Sequence, residues 1–495
     1  MLDVSRSDLT VGVAGCGTMG RGIAQVLAQS GVRTLLYDAQ AGAAQRGLDA
    51  IGQALTRLAE KGRIADPQAV SRNLEVVPGL GAFAPCHVVV EAIVEDLAAK
   101  RTLFSELEAI VGGECILASN TSSLSVTAMA AACKRPGRVA GYHFFNPVPV
   151  MKIVEVVDGV LTEPWVTDAL TTLAKRYGHT PIRCKDTPGF VVNHAGRAFI
   201  PEALRILSEG IADFATIDRI LVDAAGFRLG PFGLMDLVGL DVNVAVMKSM
   251  YDQYFQEPKY KPSFIAEPRV AAGLHGRKTG RGWYAYSPEM QTPPEPPAPK
   301  AKPAAVWAVP ELKELLVDLG ARVELKPAPD AVCFVAPLGL DASAAALEQG
   351  LDPARTVAVD PLFGFSKRRT LMCTPVTKRE VRDAAHALLA ADGVPVSVIN
   401  DSPGFVAQRV VAHIVNVGCD IAQMRIATPP DLDRAVMLGL GYPKGPLAMG
   451  DALGPKRILS ILQAMHELYQ EPRYRPSPWL RRRAELGASL LTPEN

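Results

Sequence analysis

A histidine at the end of one apolar strand and a carboxylate inside the next are the residues of this chain best suited to moving a proton. His143 closes the run Val139-Ala-Gly-Tyr142 and precedes Phe144-Phe-Asn-Pro147, and Glu155 lies within Lys152-Ile-Val-Glu-Val-Val157. In an open parallel sheet the C-terminal ends of strands face the ligand crevice, so an imidazole there stands on the working edge. A carboxylate in an alternating apolar strand needs a partner. As a pair, the carboxylate fixes the imidazole tautomer and the imidazole serves as general base. The competing reading is a plain surface ion pair across neighbouring strands, and the sequence alone leaves both open.

A second chemistry lies near the N-terminus. Thr10-Val-Gly-Val-Ala-Gly15-Cys-Gly17-Thr18-Met19-Gly20 places G-x-G-x-x-G after an apolar strand and before a helix-like run beginning at Gly22. Gly15 permits the tight turn, Gly17 lets backbone approach a pyrophosphate, and Gly20 packs helix on strand, with Thr18 and Met19 in the same phosphate loop. Alone the motif is weak, because glycine is abundant here (42 residues) and an ordinary strand–helix turn has the same look. Asp38 ends the next strand, where a carboxylate can bind both adenosine ribose hydroxyls and would repel a 2′-phosphate. Residues 39–42 (Ala-Gln-Ala-Gly) offer no arginine to welcome that phosphate. The expected cofactor is NAD, not NADP.

The elements that must position these groups follow from periodicity. Leu9 to Ala14, Arg33 to Tyr37, His87 to Ala92, Leu117 to Ser119 and Val139 to Phe144 read as short strands separated by several amphipathic stretches. That alternation predicts a doubly wound Rossmann domain over residues 1–185, with a helical arm at 41–65. Residues 186–287 carry 3.6-period spacing, as in Ala203, Leu204, Leu207 and Ile211, and read as an all-α domain. Residues 288–304 follow as a proline-rich linker. It holds seven prolines between Pro288 and Pro303 and is expected to act as a semi-rigid spacer.

Beyond the linker the chain repeats itself. Asp186-Thr-Pro-Gly-Phe190 recurs as Asp401-Ser-Pro-Gly-Phe405, Gly230-Pro231 as Gly445-Pro446, Asp236 as Asp451 and Gly239 as Gly454, all at one offset of 215. Motifs in the same order at constant spacing mark an internal duplication. Residues 305–398 are expected to form a degenerate partial α/β segment, too short for a second dinucleotide domain. Residues 399–495 should form a second, catalytically silent helical domain. It would pack on the first as an internal pseudo-dimer.

Composition narrows the function classes. With 52 Lys+Arg against 51 Asp+Glu, the net charge of +1 argues against a dedicated nucleic-acid binder. The 21% charged and 48% hydrophobic content excludes a largely disordered chain. Eight scattered cysteines without a C-x-x-C pair give neither a disulfide framework nor a zinc site. No signal peptide or membrane-length apolar run is seen, so a soluble cytoplasmic protein with no resident metal is expected.

The motifs together resemble the L-3-hydroxyacyl-CoA dehydrogenases. The resemblance rests on Gly15-x-Gly17-x-x-Gly20, Val90-Glu-Ala-Ile-Val-Glu95, Ser119-Asn-Thr-Ser-Ser-Leu124, His143 through Glu155, and Lys185-Asp-Thr-Pro-Gly-Phe-Val-Val-Asn193. The second helical domain and the length resemble the long bacterial branch, which includes 3-hydroxybutyryl-CoA and phenylacetate-pathway enzymes. The resemblance implies reversible NAD-dependent oxidation of an L-3-hydroxyacyl-CoA to the 3-ketoacyl-CoA, in fatty-acid β-oxidation or phenylacetate degradation. It implies His143 as base and Glu155 as its orienting carboxylate, with Ser122 on the 3-oxygen, Asn193 on the substrate, and Asn146 lining the same pocket. It further implies cofactor contacts from Glu95 and Lys100, and support of the nicotinamide by Ser119 or Asn120. Lys61 matches the family's CoA-binding lysine, whereas Ala54 stands at its serine position. In the second copy Gln408 replaces Asn193, and Val357 to Phe365 replaces the histidine strand without a histidine.

Two rival readings remain at this point. A gulonate-type sugar-acid dehydrogenase would share the fold and the His–Glu pair, though the second helical domain favours the acyl-CoA branch. A non-catalytic NAD-binding structural protein is the other, and intact Ser122, His143, Glu155 and Asn193 argue against it.

Overall fold

The computed structural model describes residues 2–287, 293–301 and 305–494. The chain divides into two compact units, Met1–His194 with Met424–Leu440, and Ala195–Gln423 with Gly441–Asn495. A stretch of the second copy therefore belongs to the first unit.

The first unit is built on eight strands: β1 (Thr10–Ala14), β2 (Arg33–Tyr37), β3 (Leu74–Val76), β4 (Val88–Glu91), β5 (Ile116–Ser119), β6 (Val139–Phe144), β7 (Ile153–Asp158) and β8 (Thr180–Lys185). They lie in the order β3-β2-β1-β4-β5-β6-β7-β8. All neighbours are parallel except β6 and β7. β1, β4, β5 and β6 are buried along their whole length, as expected of parallel strands covered on both faces. The five strands expected from the sequence appear within one residue of their limits. β3 and β8 were not legible, because exposed Glu75, Arg183 and Lys185 interrupt their apolar pattern.

The expected arm is the helix Ala43–Glu60, but it is not free-standing. Ala44, Gly47, Ile51 and Leu55 are buried along one side, and Leu55 is fully so. Gly47 allows close approach, since a Cβ there would stand 3.1 Å from Cys16 Cβ. The helix Pro429–Leu440 lies along β7 and β8, and Lys185 N donates to Ile426 O at 2.9 Å.

The second unit holds a smaller sheet of β9 (Val306–Ala308), β10 (Val332–Val335), β11 (Thr356–Val359), β12 (Arg369–Cys373) and β13 (Val396–Ile399). Its order is β13-β12-β11-β10-β9, antiparallel only between β11 and β12. This reproduces the β4 to β8 half of the larger sheet and leaves out the β1 half that carries the glycine loop. In matching register, Val359 opposite Leu371 corresponds to Tyr142 opposite Val156. Asp360 and Thr370 thus stand where His143 and Glu155 stand in the first copy.

Both helical copies contribute to this unit, with Phe199–Ser208 of the first packed on Val406–Gln423 of the second. Asn400 N donates to Ile211 O at 2.9 Å, the counterpart of the Lys185–Ile426 bond. Arg409 lies fully buried among Glu202 Oε1 (2.9 Å), Glu209 Oε2 (2.7 Å), Ser402, Tyr469 and Tyr474. Burial works against charge on Glu202, yet the guanidiniums of Arg409 and Arg473 outweigh it and hold the carboxyl down to about 2. Removing one member of such a buried set typically costs about 3–5 kcal/mol.

The linker is tied down within this unit. Arg368 grips Glu295 through both guanidinium Nη atoms, and Arg219 donates to Pro293 O. Its flanks, 288–292 and 302–304, lie outside the described residues, so the spacer reading applies to them untested.

Candidate active site

Every expected site residue lies in the first unit. In the glycine loop, Gly15 has φ +97°, and a Cβ there would meet Ala92 O at 2.5 Å. A Cβ on Gly20 would meet Gly15 O at 1.8 Å, whereas one on Gly17 would meet nothing within 4 Å. The turn itself demands the first and third glycines. The middle one clears the backbone for something approaching from outside, as a pyrophosphate would. The helix Thr18–Gln29 starts immediately after it with no side-chain cap, so Thr18 and Met19 sit where its first amides face phosphate. Asp38 accepts from Cys16 N at 2.7 Å and Gln40 N at 2.9 Å, which fixes its carboxylate beside the loop. These residues fit NAD.

The proton-transfer pair is formed by register. β6 and β7 set His143 directly opposite Glu155, and Nδ1 lies 2.6 Å from Oε2. His143 is 5% exposed and Glu155 0%, which overturns the surface ion-pair alternative. The other carboxylate oxygen accepts from Val191 N and Val192 N, each at 2.9 Å. Those amides directly follow the Asp-Thr-Pro-Gly-Phe turn, where Gly189 and Phe190 both take left-handed φ (+72° and +48°) and aim the next two N–H groups at one point. Asp186 of the same turn caps the helix Val126–Ala130 through Val126 N and Thr127 N. With Nδ1 engaged by Glu155, Nε2 is the nitrogen left for chemistry. Phe145 and Phe190 pack on the ring, with centroids 4.5 and 5.8 Å away.

Glu95 organises the loop that carries Ser122. Its Oε1 accepts from Thr121 Oγ1 (2.7 Å), Ser122 N (2.9 Å) and Ser123 N (3.2 Å). Burial opposes its charge, but Lys100 and these donors keep it below the usual carboxylate range. Asn193 Nδ2 approaches Ser122 O at 3.5 Å, so those two residues share one side of the site. Asn120 Oδ1 accepts from Phe144 N at 2.8 Å and anchors the strand end beside His143.

Three placements depart from expectation. Lys100 is 1% exposed and locked between Glu91 (2.6 Å) and Glu95 (3.1 Å), so it offers no open amine to a cofactor and acts instead by holding Glu95. Glu91, which sequence reading missed, also accepts from Ser119 Oγ at 2.6 Å; a carboxylate ending the run Val88-Val-Val-Glu91 was the available signal. Finally, Asn146 is exposed and lines a cleft of about 520 Å³ with Thr18, Arg21, Ala54, Arg57 and Pro149. Lys61 is exposed and does not line it; Arg21 and Arg57 are the cations that do.

Comparison with known proteins agrees with this geometry. Residues 10–187 match the family model for the NAD-binding domain of 3-hydroxyacyl-CoA dehydrogenase, and residues 189–286 and 404–490 both match the family's C-terminal domain. The chain is 38% identical over 483 residues to a 3-hydroxyadipyl-CoA dehydrogenase of Escherichia coli K12, covering 96% of this chain and 98% of the relative. A probable 3-hydroxybutyryl-CoA dehydrogenase of Deinococcus radiodurans is 42% identical over 276 residues, 56% of this chain and 99% of its own length. The crystal structure of a 3-hydroxybutyryl-CoA dehydrogenase from Escherichia coli K12 superposes with a TM-score of 0.88 at 37% identity, covering 97% of this chain and 99% of that one. The glycine loop, the histidine strand and both helical copies thus have counterparts in proteins of one kind: the chain belongs to the 3-hydroxyacyl-CoA dehydrogenase family, with NAD as its cofactor.

Proposed function

We propose that this enzyme interconverts an L-3-hydroxyacyl-CoA and its 3-ketoacyl-CoA with His143 as general base and Glu155 as its orienting carboxylate. The observation that carries the reading is the buried pair itself. Glu155 is anchored on two amides and can meet the ring only through Nδ1, so Nε2 is kept free of a proton until it takes the one on the 3-hydroxyl. NAD held by the glycine loop and Asp38 would supply the hydride acceptor for C3. The imidazolium that results is stabilised by the Glu155 carboxylate beside it. Ser122 and Asn193 share one side of the site and are suited to donate to the 3-oxygen and the thioester. The CoA portion is assigned to the cleft bearing Arg21 and Arg57, whose guanidiniums suit phosphate.

The packing of Phe199–Ser208 on Val406–Gln423 supports the internal pseudo-dimer, leaving a homodimer as a further level of assembly. Eight cysteines with no disulfide among them support a cytoplasmic setting in β-oxidation or phenylacetate breakdown. A steady-state panel tests the proposal, using NADH against acetoacetyl-CoA, longer 3-ketoacyl-CoAs, 3-oxoadipyl-CoA and a free keto acid. Turnover of CoA thioesters and not of the free acid is expected. Preference for the free acid would overturn it and favour the sugar-acid reading.

A further inference from the structure

The helix Pro429–Leu440, from the copy that has no counterpart of His143, lies in the first unit along the strand that bears Glu155. Its penultimate residue is Gly439. A Cβ there would stand 2.8 Å from Val192 Cγ1 and 2.9 Å from Cγ2. Glycine within a helix costs up to about 1 kcal/mol relative to alanine, so a packing reason for it is worth seeking. Val192 supplies the reason. Its side chain is 1% exposed, it is β-branched and stiff, and its N–H donates to Glu155 Oε1. A methyl group at 439 cannot be absorbed by a swinging side-chain end; it must push on Val192 close to the backbone that carries its N–H. At the offset of 215 the corresponding positions of the other copy are Ala224 and Ala407, so an alanine stands on that helix where no valine is matched with it.

We propose that Gly439 is a positioning residue for the reaction: the space it leaves seats Val192, and through the Val192 amide it fixes the carboxylate of Glu155 against His143. The silent copy is thereby part of the machinery without touching substrate. The inference rests on the His143–Glu155 reading.

The test uses the full-length enzyme with NADH and acetoacetyl-CoA. Gly439→Ala should lower kcat by about tenfold to a hundredfold, as expected when reacting groups shift by a fraction of an ångström to an ångström. KM for NADH should stay within about twofold, because the glycine loop and Asp38 that bind it are not touched. Adding Val192→Ala to Gly439→Ala restores the space and should recover most of the lost kcat, which a merely destabilised helix would not do. Should Gly439→Ala not fold, Val192→Ile crowds the same seat from the other side and carries the same expected fall. Wild-type kcat in the folded crowding variant, or a fall that Val192→Ala leaves in place, overturns the proposal. His143→Ala, measured alongside, separates the two levels. If it turns over normally the base assignment fails; if it is inactive while Gly439→Ala is normal, only the positioning role fails.

Discussion

Glu155→Gln changes one atom's hydrogen-bonding character at a fully buried position. Glu155 makes three bonds: Oε1 accepts from Val191 N and Val192 N, and Oε2 faces His143 Nδ1 at 2.6 Å. A glutamine has two ways to fit. In the first its carbonyl keeps both amides and its NH₂ faces Nδ1, which must then accept, so the ring proton moves to Nε2 and the base is lost. In the second its carbonyl faces Nδ1–H and the tautomer is right, but NH₂ meets two N–H donors in a fully buried position. Each orphaned donor costs about 1–3 kcal/mol, so reaching the productive arrangement costs about 2–6 kcal/mol. At about 1.4 kcal/mol per tenfold, that is a loss of roughly 30-fold to 10⁴-fold in kcat. The imidazolium also loses its counter-charge, which pushes the result toward the upper end. The assay is NADH consumption with acetoacetyl-CoA at saturating concentrations of both, with NADH affinity measured separately and expected to be unchanged. A variant whose kcat stays within about threefold of wild type, or whose loss appears wholly in KM, refutes the tautomer argument.

Asp38 should set cofactor choice: kcat/KM should favour NADH over NADPH, and Asp38→Ala combined with Ala39→Arg should narrow or reverse the ratio. An unaltered enzyme that prefers NADPH contradicts this. Burial pushes the Asp360 carboxyl up to about 6, even though Leu362 N and Gln408 Nε2 both donate to its Oδ1. A carboxyl that binds its proton more tightly when folded contributes fully below about pH 4 and loses that contribution as pH rises through 6. Asp360→Asn keeps the Oδ1 acceptor and should gain up to about 3 kcal/mol over wild type by pH 8, with a gap that closes toward pH 4; a pH-independent gap in denaturation free energy contradicts this. A chain ending at Tyr286 loses Val406–Gln423 and leaves Glu202 without Arg409 and Arg473, so light scattering should show aggregation or self-association. A stable, fully active monomer of that length would show that the second copy is dispensable.

Much of the first unit was legible because its signals are local. The glycine loop, Asp38 and the apolar strands each declare themselves within a dozen residues. The His143–Glu155 pair was legible because an antiparallel step between neighbouring strands fixes who faces whom. What stayed hidden depends on long-range packing. Lys100 reads as a cofactor contact until Glu91 and Glu95 are seen to enclose it. Arg21 and Arg57 sit on different helices, and only folding brings both to one cleft. The half-sheet of β9 to β13 has the strand pairing of β4 to β8 but little of its sequence, and pairing leaves no local mark. The placement of Pro429–Leu440 with the first unit was equally invisible, since adjacency in sequence assigns it to its own copy.

That exchanged helix has a consequence for how the enzyme can change. In a symmetric dimer one gene writes both sides of the contact, so a residue that suits the helix must also suit the loop it presses on, twice. Here the two contacts have separate codons: Val192 is matched with Gly439 at the working site, while the positions that mirror them hold Ala407 and Ala224. On the positioning role proposed for Gly439, one side answers to catalysis and the other to packing alone. Covalent duplication has turned a shared constraint into two independent ones, and the copy without a counterpart of His143 can vary wherever it does not hold up its neighbour.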